Sequence, residues 1–462
     1  MEGQKKQLPH RVIILSLVAV FLFFASGLDY YYHRDRIYAG INIDTINVGG
    51  LTKETARQLL EDELLKNNFA QNLVELQINE QVYRKTFAEL GITVDLNKTI
   101  ESAYLVGRKL LHLFRYPQRL QLARKKATIS PCIQIDQTKF QNTLKEIAIS
   151  TEEAAVNASF KLSADRKKVE IEADKPGRTI DVQETYRIVL ESVKSFFAPI
   201  SVEVPMLEIK AEITAEYLDS LGITEEIASF STVFSTANAN RAHNIRLAAA
   251  ALDKALILPN TVFSFNDTVG NATAARGYRA APVIVNGRLV DGIGGGICQV
   301  SSTLYNAVLL ADLEIIERRN HGLAVNYLPP GLDATVAYGS IDLKFKNSRS
   351  HALWLRTFID NNKITVALYG TKIPGQEVRV YTSNVQKIPA GEKIIETDSL
   401  PKGKKELIRA GQPGYRATVW RAVFLNGKEE RREKISQDTY KAVPAEYRVG
   451  TAEIPAEGSS IE

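Results

Sequence analysis

Cysteine is nearly absent from this chain: Cys132 and Cys298 are the only two in 462 residues. A disulfide framework is therefore excluded, while a single bridge between the two stays open and would consume any chemistry at either thiol. The local pairs that seed zinc sites, C-x-x-C and H-x-x-x-H, do not occur, so no cofactor or metal is expected. Charge of one sign is not in large excess. A net charge of +5 is modest for this length, and no helix-turn-helix, zinc-finger or RNA-binding signature is present, so nucleic acid is not an expected partner. What the chain does have is length and apolar content. With 45% hydrophobic residues it can bury proper cores, and its length calls for three or four domains.

Only one apolar run is long. It extends from Val12 to Leu28, is preceded by Lys5, Lys6 and Arg11, and is followed by Tyr30, Tyr31 and Tyr32. At about 1.5 Å per residue it suffices to cross a bilayer, with the basic side cytoplasmic and the remaining chain outside. The alternative is a cleaved signal peptide, for which Ala25-Ser26-Gly27 offers small residues. No cysteine follows the run, so a lipid-modified anchor is not expected.

The expected class is α+β multidomain. Residues 1–37 form a cytoplasmic tip and membrane anchor, 38–126 a small α+β unit with a basic connector, and 127–225 a second α+β unit. Residues 226–372 form a mixed α+β domain, 373–452 an all-β module, and 453–462 a disordered tail. In the first unit Ile41–Val48 alternates as a strand, and Thr52 caps a helix over Lys53–Lys66. Arg108 to Lys126 carries seven cations, with Phe114 and Tyr116 interleaved. This stretch is either a solvated connector or a contact for anionic polymers or a membrane surface. In the second unit Ser159 and Lys168 fall in strands, and Lys175-Pro-Gly-Arg-Thr-Ile-Asp181 turns into a helix from Glu184. Strands are also expected at Thr335–Tyr338, Asp342–Lys346, Ala352–Phe358 and Lys363–Leu368, with Asn286-Gly287 and Asn426-Gly427 as hairpin turns.

The most informative stretch is Gly292-Ile-Gly-Gly-Gly-Ile-Cys298-Gln-Val-Ser-Ser-Thr-Leu-Tyr305. Gly294, Gly295 and Gly296 suit a tight turn or a close backbone approach, and a helix starts at Cys298 with Val300, Leu304, Ala307, Val308 and Ala311 on one face. A thiol at a helix N-terminus meets the positive end of the dipole, which lowers its pKa, and free N–H groups there can hold an oxyanion. His321 and then Asp333 and Asp342 follow. That order resembles transglutaminase-like thiol enzymes, and the helix-start cysteine is similar to that of papain-like enzymes. The competing reading is plain packing, since cysteine is among the most buried residue types.

The blocks G-G-G-I-C-Q-V-S-S-T-L-Y-N-A, E-R-R-N-H-G, Y-L-P-P-G-L-D-A-T-V and D-L-K-F-K-N occur in one order between about Phe230 and Gly370 and together resemble the VanW family. The resemblance implies a cell-envelope setting more firmly than it implies a reaction. V-G-G-L-T-K-E-T-A and P-G-R-T-I-D resemble the peptidoglycan-binding domain found ahead of VanW domains and in some L,D-transpeptidases. Glycine-punctuated strands after Gln376 resemble the G-five domain. Implied partners are peptidoglycan or its peptide stems, anionic wall polymers, and the membrane through the N-terminal helix.

Two functions remain open on these residues. One is an extracytoplasmic thiol enzyme, with Cys298 as nucleophile, His321 as base, Asp333 (with Asp342 as competitor) orienting the base, and Gln299 assisting an oxyanion. Candidate binding residues are Gly294, Gly295, Gly296, Ser301, Ser302, Asn240, Arg241, Asn244 and Tyr327. The other is a non-catalytic wall-binding scaffold in which Cys298 and His321 merely pack. A metal held by Cys298, His321 and Asp333 is a poor third.

Overall fold

The computed structural model describes residues 10–109, 115–285 and 288–452. Lys5, Lys6, Phe114, the Asn286-Gly287 turn and the tail after 452 lie outside the described residues. The chain is mixed α+β, with an N-terminal apolar helix, His10–His33, and an all-β region at the C-terminal end. Among the described residues one helical stretch, Val12–His33, is long and apolar enough to cross a membrane, and none of it is buried in the protein.

The chain folds as two compact units. The first comprises Met1–Val156 and Lys175–Ala211. Ile41–Val48, expected as one strand, is a tight hairpin instead: Ile41–Ile43 pairs with Ile46–Asn47 across Asp44, whose φ is 51°. The turn is held because the Asp44 carboxylate accepts from Ser195 Oγ at 2.7 Å and Phe196 N at 2.9 Å. The helix Lys53–Lys66 starts where expected, Thr52 accepting from Thr55 N, and buries Ala56 and Leu60. The strand Ile200–Glu203 pairs parallel with Leu73–Ile78, so the segments expected as two units share one sheet and one core. Leu76, Phe87, Phe140, Leu144 and Val202 belong to that core together.

The basic connector is only partly a solvated face. The Arg108 guanidinium lies between the Tyr38 and Tyr104 rings, 3.8 and 3.9 Å from their centroids, and donates to His33 O at 2.9 Å. Arg119 donates to Asp29 at 2.7 Å. Arg124, Lys125 and Lys126 are exposed.

The second unit comprises Asn157–Asp174 and Glu212–Glu462. It thus includes the hairpin Ser159–Leu162/Val169–Glu172, which lies within the segment 127–225. Its centre is an antiparallel sheet in the order Glu225–Val233, Lys363–Gly370, Leu353–Asp360, Leu256–Ile257. The helices Ala239–Leu252 and Ile297–Leu310 share a core with it through Ile245, Leu252, Val300, Leu304, Leu355 and Val366. The second of these helices is buried all round from Gln299 to Leu309, not along one stripe. Its off-face polar side chains bind the segment 332–334: Ser301 Oγ donates to Ala334 O at 2.7 Å, Ser302 Oγ accepts from Ala334 N at 2.9 Å, and Asn306 Nδ2 donates to Leu332 O at 2.7 Å. This corrects the strand expected at Thr335–Tyr338. Side chains of the helix satisfy much of the preceding backbone, and only the isolated bridge Ala337–Ile341 forms there.

From residue 376 to 452 the chain is all β. Gln376–Ile388, Gly414–Leu425 and Lys428–Tyr440 form one antiparallel sheet, with the expected turn at Asn426 and Gly427, both at positive φ. Glu392–Pro401, Ala445–Ala452 and Lys405–Arg409 form another. This region packs within the second unit, and buried Arg421 donates from Nη1 to Leu313 O at 2.7 Å.

A fragment of residues 34–126 lacks Ile200–Glu203 and the helix Gln137–Thr151, and with them Phe140, Leu144 and Val202 of the shared core. It should give a collapsed, random-coil-like NMR spectrum. A dispersed spectrum would contradict a single core spanning both segments.

Candidate functional site

The thiol helix begins from a glycine turn whose backbone other residues could not adopt. Gly296 caps it at φ 110°, a left-handed region that penalises any Cβ. A Cβ on Gly295 would stand 2.6 Å from Ala281 O, so the turn lies flat against the strand Ala280–Val285. Asn244, fully buried, clasps the same turn: its Nδ2 donates to Arg279 O and Gly295 O, at 2.8 and 3.0 Å, and its Oδ1 accepts from Arg279 N. Asn240 donates to Ala280 O at 3.0 Å. Both asparagines, named above as candidate binding residues, bind backbone and hold the glycine turn in place.

Cys298 is partly exposed, and both cysteines are free thiols lying in different units, so no bridge consumes it. Its thiol donates to Val336 O at 3.5 Å, and the neighbouring His321 side chain acts on the sulfur to lower the thiol's pKa. His321 Nδ1 is 2.5 Å from Asp333 Oδ2, and the same oxygen accepts the His321 backbone N–H at 2.7 Å. The imidazole thus interacts with both the carboxylate and the thiol. Among the described residues no group of three or more His, Cys, Asp or Glu side chains is arranged to hold a metal ion. Asp342, the competing carboxylate, caps a local turn, accepting from Ser264 Oγ at 2.6 Å and Asn266 N at 2.9 Å.

The electrostatics favour an ion pair. Burial pushes the Cys298 thiol up, but the His321 hydrogen bond and charge outweigh it and hold the thiol below its ordinary value. Burial lowers His321, yet the hydrogen bonds to Asp333 and Cys298 raise it to about 9. Burial alone would raise Asp333 also, but His321, Arg318 and Tyr440 hold it below the usual carboxylate range. The imidazolium thus persists up to about pH 9, and the thiol beside it is held below its ordinary value.

Gln299 does not supply an oxyanion donor. It is buried; its Nε2 donates to Thr232 Oγ1 at 3.0 Å and Val233 O at 2.9 Å, and its Oε1 receives Arg241 Nη2 at 2.8 Å. Its role is to hold Arg241, whose charge is felt by Cys298 and Tyr327. Burial raises the Tyr327 hydroxyl well above its ordinary value, and Cys298 acts on it in the same direction. Among the described residues the Cys298 N–H has no acceptor, whereas Ile297 N and Gln299 N bond Gly294 O and Gly296 O. Ser301 and Ser302 are fully buried and serve the 332–334 segment, not a ligand. A cleft of about 350 Å³ opens on His321, lined also by Arg319, Thr335, Thr439 and Lys441.

Three participants were not read from the sequence. Arg318 donates to Asp333 O at 2.7 Å and Gly331 O at 2.9 Å, Asp438 accepts from Arg318 Nη1 at 2.7 Å, and Tyr440 donates to Asp333 Oδ1. Arg318 lies in the E-R-R-N-H-G block and was within reach of a reading by motif. Asp438 and Tyr440 come from the all-β region, more than a hundred residues later, with no local signal.

Comparison with known proteins places these elements in families. The VanW like protein model matches residues 240–369, a peptidoglycan binding domain model matches 83–198, and the G5 domain model matches 379–452. The V-G-G-L-T-K-E-T-A block lies ahead of the second of these matches. "Uncharacterized protein YoaR" of Bacillus subtilis is 39% identical over 191 residues, which is 41% of this chain and 63% of that protein. "Vancomycin B-type resistance protein VanW" of Enterococcus faecalis is 31% identical over 164 residues, 34% of this chain and 59% of that one. The chain thus spans less than two thirds of either curated relative. "IgA1 Protease G5 domain structure" is 27% identical, covering 17% of this chain and 92% of that one, at a TM-score of 0.15 that is too low to carry a structural argument. The chain is a VanW- and YoaR-like protein with a C-terminal G5 domain. Its peptidoglycan-binding and G5 domains, together with an N-terminal apolar helix, are the content of a cell-wall-associated protein.

The ion pair makes a specific pH prediction. An ordinary thiol, with pKa about 8.5, loses roughly 75-fold in alkylation rate from pH 8 to pH 6 as its thiolate is protonated. Cys298 should lose clearly less than that over the same range, and His321→Gln should restore the ordinary slope. An ordinary slope in the unsubstituted chain would show that no thiolate–imidazolium pair forms.

Proposed function

We propose that the protein is anchored in the membrane by its N-terminal helix, binds peptidoglycan outside the cell, and acts on peptidoglycan peptides by thiol acyl transfer or amide hydrolysis at Cys298. The observation that carries this reading is the Cys298–His321–Asp333 grouping, in which the imidazole lowers the thiol's pKa and its Nδ1 lies 2.5 Å from the Asp333 carboxylate. In such a site the thiolate attacks the amide carbonyl carbon, and the oxyanion forms beside the Cys298 N–H at the helix start. The His321 imidazolium gives its proton to the departing amine, leaving an acyl thioester. Water, for hydrolysis, or a second amine, for transfer, then attacks the thioester carbonyl. His321 removes the proton of the incoming group, and Cys298 leaves as thiolate. Asp333 keeps the ring in the productive tautomer throughout. The cationic lining at Arg319 and Lys441 suits an acyl donor that carries a carboxylate.

The alternative is a scaffold that binds wall peptides without turning them over. It is favoured by the separate peptidoglycan binding domain match, which needs no reaction to account for it. Incubation of the full chain with muropeptides separates the two readings. Cys298→Ser should abolish product formation while leaving binding intact, and His321→Gln should cost nearly as much, since residues acting as a unit are strongly non-additive. Binding with no product from either chain would leave the scaffold reading in place, and equal product from the serine variant would show that Cys298 is not the nucleophile.

The topology has its own test. Protease added to intact protoplasts should degrade the domains beyond the N-terminal helix, because basic residues precede the apolar run. Full protection of those domains would overturn the extracytoplasmic placement.

A further inference from the structure

The strand Lys428–Tyr440 belongs to the region matched as a G5 domain, whereas Cys298, His321 and Asp333 all lie in the region matched as VanW like. Alternate residues along its end nevertheless face in two directions, as strand geometry requires: Asp438 and Tyr440 are buried and Thr439 is exposed. On the buried side, the Tyr440 hydroxyl donates to Asp333 Oδ1 and accepts the Gly331 N–H at 2.7 Å. Asp438 accepts from Arg318 at 2.7 Å and from Ser436 Oγ at 2.9 Å, and Arg318 in turn reaches Asp333 Oδ1 at 3.3 Å. On the other side, Thr439 and Lys441 line the cleft onto which His321 opens. The backbone ties the two together: Lys441 N donates to Gly322 O at 2.9 Å, and Asn320 Nδ2 donates to Thr439 O at 3.2 Å, one residue on either side of His321.

We propose that the C-terminal β module is a working part of the thiol site, with Tyr440 and Asp438 as positioning residues that fix the Asp333 carboxylate behind His321. The inference rests on the thiol reading above and deepens it. A carboxylate bound on one oxygen by the His321 ring and backbone, and on the other by Tyr440 and Arg318, cannot rotate. Without the Tyr440 hydroxyl, Asp333 loses that restraint and Gly331 N–H loses its acceptor. The imidazolium then loses its aligned partner, and the Cys298 thiolate beside it reverts toward thiol.

The test is the pH profile of iodoacetamide alkylation at Cys298, measured by mass spectrometry on the full chain carrying Tyr440→Phe or Asp438→Asn, each checked for folding by circular dichroism. In Tyr440→Phe the rate at pH 6 should fall by about 10-fold while the rate at pH 9, where the thiolate forms unaided, stays within about 2-fold. Asp438→Asn should move the same way, and it carries the test if the phenylalanine variant does not fold. Glu406→Gln, on an exposed position of the same module, should leave the profile unchanged. A folded Tyr440→Phe or Asp438→Asn chain with an unchanged or increased pH 6 rate overturns the positioning role while leaving the thiol reading intact. An ordinary thiol profile in the unsubstituted chain overturns both.

Discussion

Asp333 is fully buried, and the second unit is arranged around satisfying its charge. An ionised carboxylate in a protein interior costs several kcal/mol in lost hydration unless donors replace the water, and removing one partner of a buried pair costs about 3–5 kcal/mol. Here the donors come from separate stretches of chain: the His321 ring and backbone, the Arg318 guanidinium, and the Tyr440 hydroxyl. Much else follows. The segment around residue 334, which carries the carboxylate, is irregular and belongs to no strand. Ser301, Ser302 and Asn306 are polar inside an otherwise apolar core because they must bind that irregular backbone. Arg318 in turn needs Asp438 to balance its own buried charge.

The thiol end of the relay has a different foundation. The helix Ile297–Leu310 is buried all round, so its N-terminus is positioned by the same core that stabilises the unit. Functional groups carried on rigid elements hold their geometry better than those on loops. His321 lies on an irregular segment, and the tie from its neighbours to the Lys428–Tyr440 strand supplies the rigidity which that segment lacks. Sulfur, ring and carboxylate are thereby set by three elements packed on one core.

Legibility in the sequence depended on how local the determinant was. Caps and turns were readable where a single side chain decides them, as with Thr52 ahead of Lys53–Lys66 and Asn426-Gly427 between its strands. The helix-start cysteine, the later histidine and the carboxylate were readable because their order and spacing are themselves the signal. Ile41–Val48 misled because alternation does not reveal that Asp44 turns left-handed to meet Ser195, far along the chain. Gln299 and Asn244 misled because a polar residue beside a reactive one looks like a participant until its partners are known. Their amides are fully occupied by backbone and by neighbouring side chains. Asp438 and Tyr440 were out of reach, since their importance lies in tertiary contacts that leave no trace in local spacing. The family matches agree with the resemblances read from the motif blocks, and the peptidoglycan binding match starts later than the first of those blocks.

The proposed chemistry requires Cys298 to be a nucleophile and not a well-placed packing residue. The most direct measurement is an acid-quenched intact-mass spectrum of the full chain after brief mixing with muropeptides, followed by peptide mapping. A nucleophilic Cys298 predicts a transient acyl adduct mapped to that residue, absent in Cys298→Ser and lost on treatment with hydroxylamine, as a thioester would be. Saturating binding of the same muropeptides with no adduct at any time point would contradict it.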